Sequence, residues 1–222
     1  MIDEQDVARR LVAIQERIDA AGGRAVRVVA VTKGFGVDAV SAAMACGLHD
    51  IGESYAQEAL AKLAPTSPDA PPPAERPTVH FIGGLQRNKV RKLAPVVDVW
   101  QSVDRLELAE EIARRAPGAQ VMLQVDLSGE VTKGGCPPDA VEPLLAGAVD
   151  RGLVVVGLMG IAPRGEPELA RPGFRLLRSL VDRFSLRECS MGMTADLEVA
   201  VEEGTTMVRV GTALFGPRPP RE

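Results

Sequence analysis

The pattern that most restricts this chain is a short apolar run, closed by a turn residue and followed by a helical repeat, met eight times in succession. Two of the runs, residues 28–32 (Val-Val-Ala-Val-Thr) and residues 153–159 (Leu-Val-Val-Val-Gly-Leu-Met), show no alternation of polar with apolar residues. A strand of that kind is buried on both faces, which calls for a parallel sheet covered by helices. The other runs fall at residues 50–53, 78–82, 96–103, 120–127, 188–190 and 206–210. Between them, apolar residues at helical spacing predict helices at 37–46, 55–63, 88–93, 104–115 (capped by Asp104), 138–150, 169–184 and from Thr194 or Asp196 to 203. An earlier helix, at residues 3–21, is carried by Val7, Leu11, Ile14 and Ile18 and stopped by Gly22 and Gly23. Strict alternation of strand and helix builds right-handed parallel units, and eight of them make a (β/α)8 barrel. The expected fold is therefore α/β, a TIM barrel forming a single domain over residues 1–222, with an additional N-terminal helix. The competing architecture is an open doubly wound sheet. No G-x-G-x-x-G follows the first strand, which counts against a dinucleotide-binding version of it.

A chain of 222 residues accommodates one lean barrel without a second domain. Residues 65–77 contain six prolines, cannot form a packed element, and read as a surface loop because the alternation resumes beyond them. The formal charge of 26 − 30 = −4 provides no basic field to gather nucleic acid or an anionic membrane. The basic stretch Arg87, Lys89, Arg91 and Lys92 lacks interleaved aromatics and reads as a solvated helix face. Cys46, Cys136 and Cys189 are odd in number and form no C-x-x-C, so neither a disulfide framework nor a zinc site is expected. The first residues alternate in charge where a secretion signal would be apolar, and no run reaches the ~20 apolar residues that span a bilayer. A cytoplasmic protein is expected.

In such barrels the chemistry sits on the rim formed by the C-terminal ends of the strands. Lys33 stands at the end of the first run. A lysine half-buried there has a lowered pKa and an accessible neutral amine; the bland alternative is a lysine that snorkels to solvent. Lysines are scarce: Lys33, Lys62, Lys89, Lys92 and Lys133 are 5 of the 26 basic residues. Lys133, read as a mobile solvated residue in the Gly-rich loop 128–136, is the one rival for a carbonyl. His80, inside a strand, reads as a hydrogen-bonded core histidine, and His49 as a helix–strand junction residue. Ser190 ends the seventh strand, Arg209 lies in the eighth, and Gly211 and Thr212 come just after it. The loops after these two strands often bind phosphate through backbone amides, and Ser190-Met191-Gly192 and Gly211-Thr212 supply small residues and hydroxyls for it. Barrel closure makes strands one and eight neighbours. A lysine beside a phosphate cradle points to a phosphorylated carbonyl compound held as a Schiff base, either pyridoxal phosphate or a sugar phosphate. Arg209 is placed either for a pyridine nitrogen or for an ion pair with a strand-end carboxylate.

The motifs Val29-Ala-Val-Thr-Lys33, Ile51-Gly-Glu-Ser-Tyr-Ala-Gln-Glu58 and His80-Phe-Ile-Gly-Gly-Leu-Gln-Arg-Asn-Lys89 run on to Gly157-Leu-Met159, Ser190-Met-Gly-Met-Thr-Ala-Asp196 and Thr206-Met-Val-Arg-Val-Gly-Thr-Ala-Leu-Phe-Gly216. In this order, over nearly the whole chain, the sequence resembles the pyridoxal-phosphate homeostasis protein family (proline synthetase co-transcribed bacterial homologue), a relative of the alanine racemase barrel. The resemblance implies pyridoxal 5'-phosphate (PLP) as cofactor and Lys33 as its Schiff-base lysine. It also implies Arg209 as the pyridine-nitrogen partner and Ser190, Met191, Gly211 and Thr212 as the phosphate holders. Ser54, near the cofactor, stands where the family usually has Asn, which shortens that contact or routes it through water. Gly84 stands where the family usually has Pro, which loosens that loop. The family carries a lysine at Lys133 too, implying a secondary role in receiving or passing on PLP.

A racemase of this barrel type needs a base on each face of the bound substrate, the second being a tyrosine from another domain. Here the one tyrosine is Tyr55, and the second face is open to water. An arginine at the pyridine nitrogen also weakens the cofactor as an electron sink. The expected function is PLP binding in intracellular PLP homeostasis, with reversible attachment at Lys33 and delivery to PLP-dependent apoenzymes, by a monomer that is not itself an enzyme. The alternatives are a low-activity PLP-dependent amino-acid racemase and a cofactor-free Schiff-base aldolase.

Overall fold

Eight parallel strands close on themselves in the order in which the chain makes them. The computed structural model describes residues 2–64, 76–130 and 133–218. The proline-rich loop expected at 65–77 thus lies outside the described residues, save for its last two positions. Strand β1 (Arg27–Val31) pairs with β2 (Asp50–Glu53) on one side and with β8 (Met207–Val210) on the other. Between β2 and β8 the ring is filled by β3 (Thr78–Phe81), β4 (Val99–Val103), β5 (Gln120–Asp126), β6 (Val154–Ile161) and β7 (Glu188–Ser190). The β1–β8 pairing, from Arg27↔Met207 to Ala30↔Val210, rules out the open sheet.

The helices α2 (Val37–Ala45), α3 (Ala56–Leu63), α4 (Arg87–Leu93), α5 (Leu106–Arg115), α6 (Val141–Asp150), α7 (Arg171–Arg183) and α8 (Leu197–Glu202) separate successive strands, and the short α9 (Thr212–Phe215) comes after β8. The N-terminal helix α1 (Glu4–Ala20) begins at Asp3, whose carboxylate caps the Gln5 amide at 2.8 Å. It buries Val7, Ile14 and Ile18, and Arg17 ties it to Glu198 of α8 at 2.6 Å.

The unbroken apolar runs arise from two dry environments. Val28 and Ala30 pack outward, with α1 and α2 residues such as Ile14, Ile18 and Val40. Val29 faces inward with Val99, Met122, Val156, Met159 and Met207, a compact cluster inside the barrel. Beside that cluster the interior is polar, with buried His80, Gln101, Ser190 and Arg209.

Two boundaries depart from the sequence expectation. Val96 and Val97 fit the pattern of strand four, but their amides bond the Leu93 carbonyl at 2.9 Å and close helix α4 instead; both side chains are nevertheless buried. Asp104 does not cap α5: the cap position is Arg105, and the Asp104 carboxylate takes the Arg105 guanidinium at 2.6 Å. Of the two expected starts of α8, Asp196 is the one that opens it, and its carboxylate accepts the Met193 amide at 2.6 Å, so the β7–α8 loop is folded back on itself.

Candidate functional site

Lys33 sits in a tight turn at the open end of β1. The Phe35 amide bonds the Thr32 carbonyl at 3.0 Å, and Gly34 takes φ = 78°, a left-handed conformation that glycine adopts without steric cost. The turn is pinned from α3, where Glu58 accepts the Gly34 amide at 2.7 Å. Half-buried there, the Lys33 amine has its pKa lowered, first by desolvation and then by the nearby Arg218 cation, with Arg209 adding to it and Tyr55 and Glu53 opposing.

Directly behind this turn lies a group of residues that sequence reasoning missed. Glu53, fully buried at the end of β2, accepts the Thr32 hydroxyl at 2.6 Å and pairs with Lys62 of α3 at 2.5 Å. Lys62 also donates to the Thr32 carbonyl at 2.8 Å, and its side chain is only 6 % exposed. The Glu58 and Lys62 spacing of four residues was a visible sign of a helical pair. That Lys62 would leave solvent for Glu53 depends on where α3 lies over β2, which spacing does not disclose.

The strand ends surround a cleft of about 890 Å³, lined among others by Lys33, Ser54, Tyr55, Ser102, Asp104, Lys133, Met193 and Asp196. Ser102 is in it because β4 carries a bulge. Trp100 and Val103 both pack outward, and across them the register against β5 shifts, so the residues between them, Gln101 and Ser102, are freed from simple alternation. The Ser102 hydroxyl is buried and, among the described residues, has no hydrogen-bond partner. Lys133 also lines the cleft, but not as the mobile solvated residue expected. Its Nζ is clamped by Glu130 and by the Ala162 carbonyl, each at 2.7 Å, and the side chain is 13 % exposed. Lys133 thus reaches the chain just past the β6 end, which the Gly-rich composition did not show.

The remaining expected site residues lie on the neighbouring β7–β8 side. Arg209 is buried in the barrel, donating to the Ser190 hydroxyl at 2.7 Å and to the Gly160 carbonyl at 2.8 Å. Burial lowers its pKa to about 10, so it remains a cation at neutral pH. The expected alternative, a strand-end carboxylate as direct partner, is not what these two bonds show. Ser190 turns its hydroxyl inward, to Gln101 at 2.8 Å, and Met191 is fully buried, so neither side chain lines the cleft. Gly211 and Thr212 open α9, whose first bonds run from the Leu214 and Phe215 amides to the Gly211 carbonyl at 2.9 Å. That leaves the Thr212 and Ala213 amides ahead of the bonded turn. Since Ala30 pairs with Val210, these amides stand beside the Lys33 turn.

His80 is the hydrogen-bonded core histidine expected, and His49 lies between α2 and β2. Burial pushes the Cys136 thiol to about 11 and the Cys189 thiol to about 12, which makes both unreactive. Among the described residues no cluster suited to a metal ion is present, and no helix is long and apolar enough to cross a membrane.

Residues 2–219 match the family described as alanine racemase, N-terminal domain. The chain is 41% identical over 225 residues to a protein of Pseudomonas aeruginosa named pyridoxal phosphate homeostasis protein, covering 96% of this chain and 95% of that one. A protein of the same name from Aquifex aeolicus is 39% identical, covering 96% of this chain and 99% of its own length. Among solved structures, PipY of Synechococcus elongatus with PLP bound superposes with a TM-score of 0.79 at 34% identity, over 95% of this chain and 100% of that chain.

Proposed function

The chain belongs to the family of the pyridoxal phosphate homeostasis proteins, and from that premise we propose that it binds PLP on Lys33 and releases it to PLP-dependent apoenzymes, acting in PLP homeostasis instead of turning over a substrate. The observation that carries this reading is the pairing of two cations of different kind at the β1–β8 seam: a half-buried amine of lowered pKa at Lys33, and a wholly buried guanidinium at Arg209.

The residues fit the cofactor. Its aldehyde requires an amine that sheds its proton readily, and desolvation makes Lys33 such an amine. Its phosphate requires amides and small residues, offered by Gly211 and Thr212; Ser190 and Met191 would join them only if the Met191 amide left the Thr205 hydroxyl, which it faces at 3.4 Å. Its ring requires polar contacts at the rim, for which Ser54 and the orphaned Ser102 hydroxyl stand ready. When bound, PLP supplies a carbonyl that condenses reversibly with a primary amine.

The protein's own residues hold that carbonyl's partner in place and limit further chemistry. Thr32, Glu53 and Lys62 hold the β1 turn, and so the direction of Lys33. Arg209, a permanent donor, would hold the ring nitrogen of bound PLP as an acceptor, an arrangement that would disfavour carbanion chemistry. Lys133, engaged with Glu130 and Ala162, is withheld from the carbonyl in this conformation and becomes a second acceptor only if that clamp opens. The free cysteines, none in a disulfide, suit the cytoplasm.

The test is a titration of the purified protein with PLP, monitored by visible absorbance. The expected result is a saturable coloured complex that bleaches when a PLP-requiring apoenzyme is added and recovers activity. Absence of colour at saturation rejects PLP binding at Lys33. Racemisation of an amino acid at a rate lost in Lys33→Ala would replace the carrier with an enzyme.

A further inference from the structure

We propose that His80 is a positioning residue for Arg209, acting across the inside of the barrel through Gln101 and Ser190. The inference rests on the reading of Arg209 as the partner of a bound pyridine ring.

Four hydrogen bonds run without a gap from one mouth of the barrel to the other. Arg209 Nη1 donates to Ser190 Oγ at 2.7 Å, and Ser190 Oγ donates to Gln101 Oε1 at 2.8 Å. Gln101 Nε2 faces His80 Nδ1 at 2.8 Å, and His80 Nε2 faces Asp50 Oδ1 at 2.8 Å. A carboxylate only accepts, so Nε2 of His80 carries a proton. Gln101 spends its carbonyl on Ser190, so its amide group donates, and Nδ1 of the neutral imidazole must accept. Every donor in the chain therefore points the same way, from the Arg209 cation to the Asp50 carboxylate. Gln101, Ser190 and Arg209 are buried and His80 is 2 % exposed, so water does not substitute for a missing link between these four.

The charges around His80 come from several strands. Asp50 of β2 also meets Arg27 of β1 at 3.4 Å, and Arg27 pairs with Glu188 of β7 at 2.8 Å. Asp98, ahead of β4, is taken by Arg76 at 2.9 Å, while Gln101 and Met207, from β4 and β8, bring no charge. Burial works against the Asp50 carboxylate, yet the bond from His80, with Arg27 and His49, holds its pKa below the ordinary value. Arg27, Asp50, His80, Asp98 and Glu188 border a second, polar cavity of about 340 Å³ at the N-terminal ends of the strands. A second proton on His80 turns Nδ1 into a donor, and the Gln101 amide must then reverse. Its NH2 group then donates to the Ser190 oxygen beside Arg209, the Ser190 proton loses the Gln101 carbonyl that accepted it, and as the hydroxyl turns Arg209 loses its fixed setting.

The experiment tracks the ring nitrogens of His80 and the guanidinium nitrogens of Arg209 by NMR, in ligand-free protein, from about pH 8 to about pH 5, where histidine titrates. Dissociation of added PLP is measured over the same range. In the wild type, the Arg209 signals should move with the His80 midpoint, and the PLP dissociation constant should rise about fivefold on the acid side, the lower end of couplings between separated sites. In Gln101→Met, His80 should still titrate while Arg209 stays still and the pH step in affinity disappears; a merely structural His80 would leave that step in place. Arg209 signals that ignore the titration of wild-type His80, or a His80 that keeps one proton throughout, overturn the proposal. Arg209 signals that move with His80 in a protein that fails to bind PLP would uphold the relay and reject the ligand reading.

Discussion

A lysine is a poor nucleophile at neutral pH until its surroundings disfavour the ammonium form, and at Lys33 burial does so first, Arg218 second. Removing Arg218 therefore raises the Lys33 pKa. The pH at which Arg218→Ala reaches half its complex with PLP should lie above that of the wild type, and an unchanged midpoint would show that Arg218 does not act on Lys33. The Glu53 and Lys62 pair behind the turn supports it from below. Truncating Lys62 leaves a buried carboxylate answered only by the Thr32 hydroxyl, since Glu53 Oε2 has no partner among the described residues. Lys62→Met is expected to cost about 3 kcal/mol in urea unfolding, as broken buried pairs do. Lys33 was legible in the sequence because it closes an apolar run. Lys62 was not, because nothing local distinguishes a lysine that points to solvent from one that turns inward.

At the scale of elements, side chains whose positions suit helix caps serve other ends, and one unremarked carboxylate binds two helices together. Glu111 of α5 takes Arg114, Arg115 at 3.0 Å and, across to α4, Arg87 at 3.7 Å. The bonds to Arg114 and Arg115 lower its pKa to about 2. A carboxylate depressed in the folded state stabilises it above the unfolded pKa of about 4.3, and that contribution is lost as pH falls toward the folded value. Stability of the wild type should decline through this acid window more steeply than that of Glu111→Gln, as measured by thermal unfolding at stepped pH; parallel declines would remove Glu111 from the account. Helices and strands were legible from periodicity, but their ends were not. Val96 and Val97 satisfy a strand pattern while closing a helix, since both roles need buried apolar side chains. Ser102 was invisible for the opposite reason: alternation holds only until a bulge interrupts it, and the β4 bulge has no residue signature.

At the scale of the whole molecule, closure is what converts eight local repeats into a site. Lys33 and Arg209 are far apart in the chain and become neighbours through the β1–β8 ladder alone. At the β6–β7 contact a Cβ on Gly157 would overlap the Glu188 carbonyl oxygen. Gly157→Ala must prise β7 away, and a loss of about 3 kcal/mol is expected on urea unfolding; wild-type stability would mean that β7 shifts freely. The alternation of strand and helix foretold the barrel, and general rules of parallel sheets then supplied its closure. The inward network of His80, Gln101, Ser190 and Arg209 was not foretold, because it joins β3, β4, β7 and β8 through side chains whose partners are set only once the ring is shut. The central claim concerns one nitrogen. Protein mixed with PLP, reduced with borohydride and digested should yield a single pyridoxyl phosphate adduct, on the peptide that carries Lys33. An adduct on Lys133 or Lys62 with Lys33 unmodified, or no adduct at all, would contradict it.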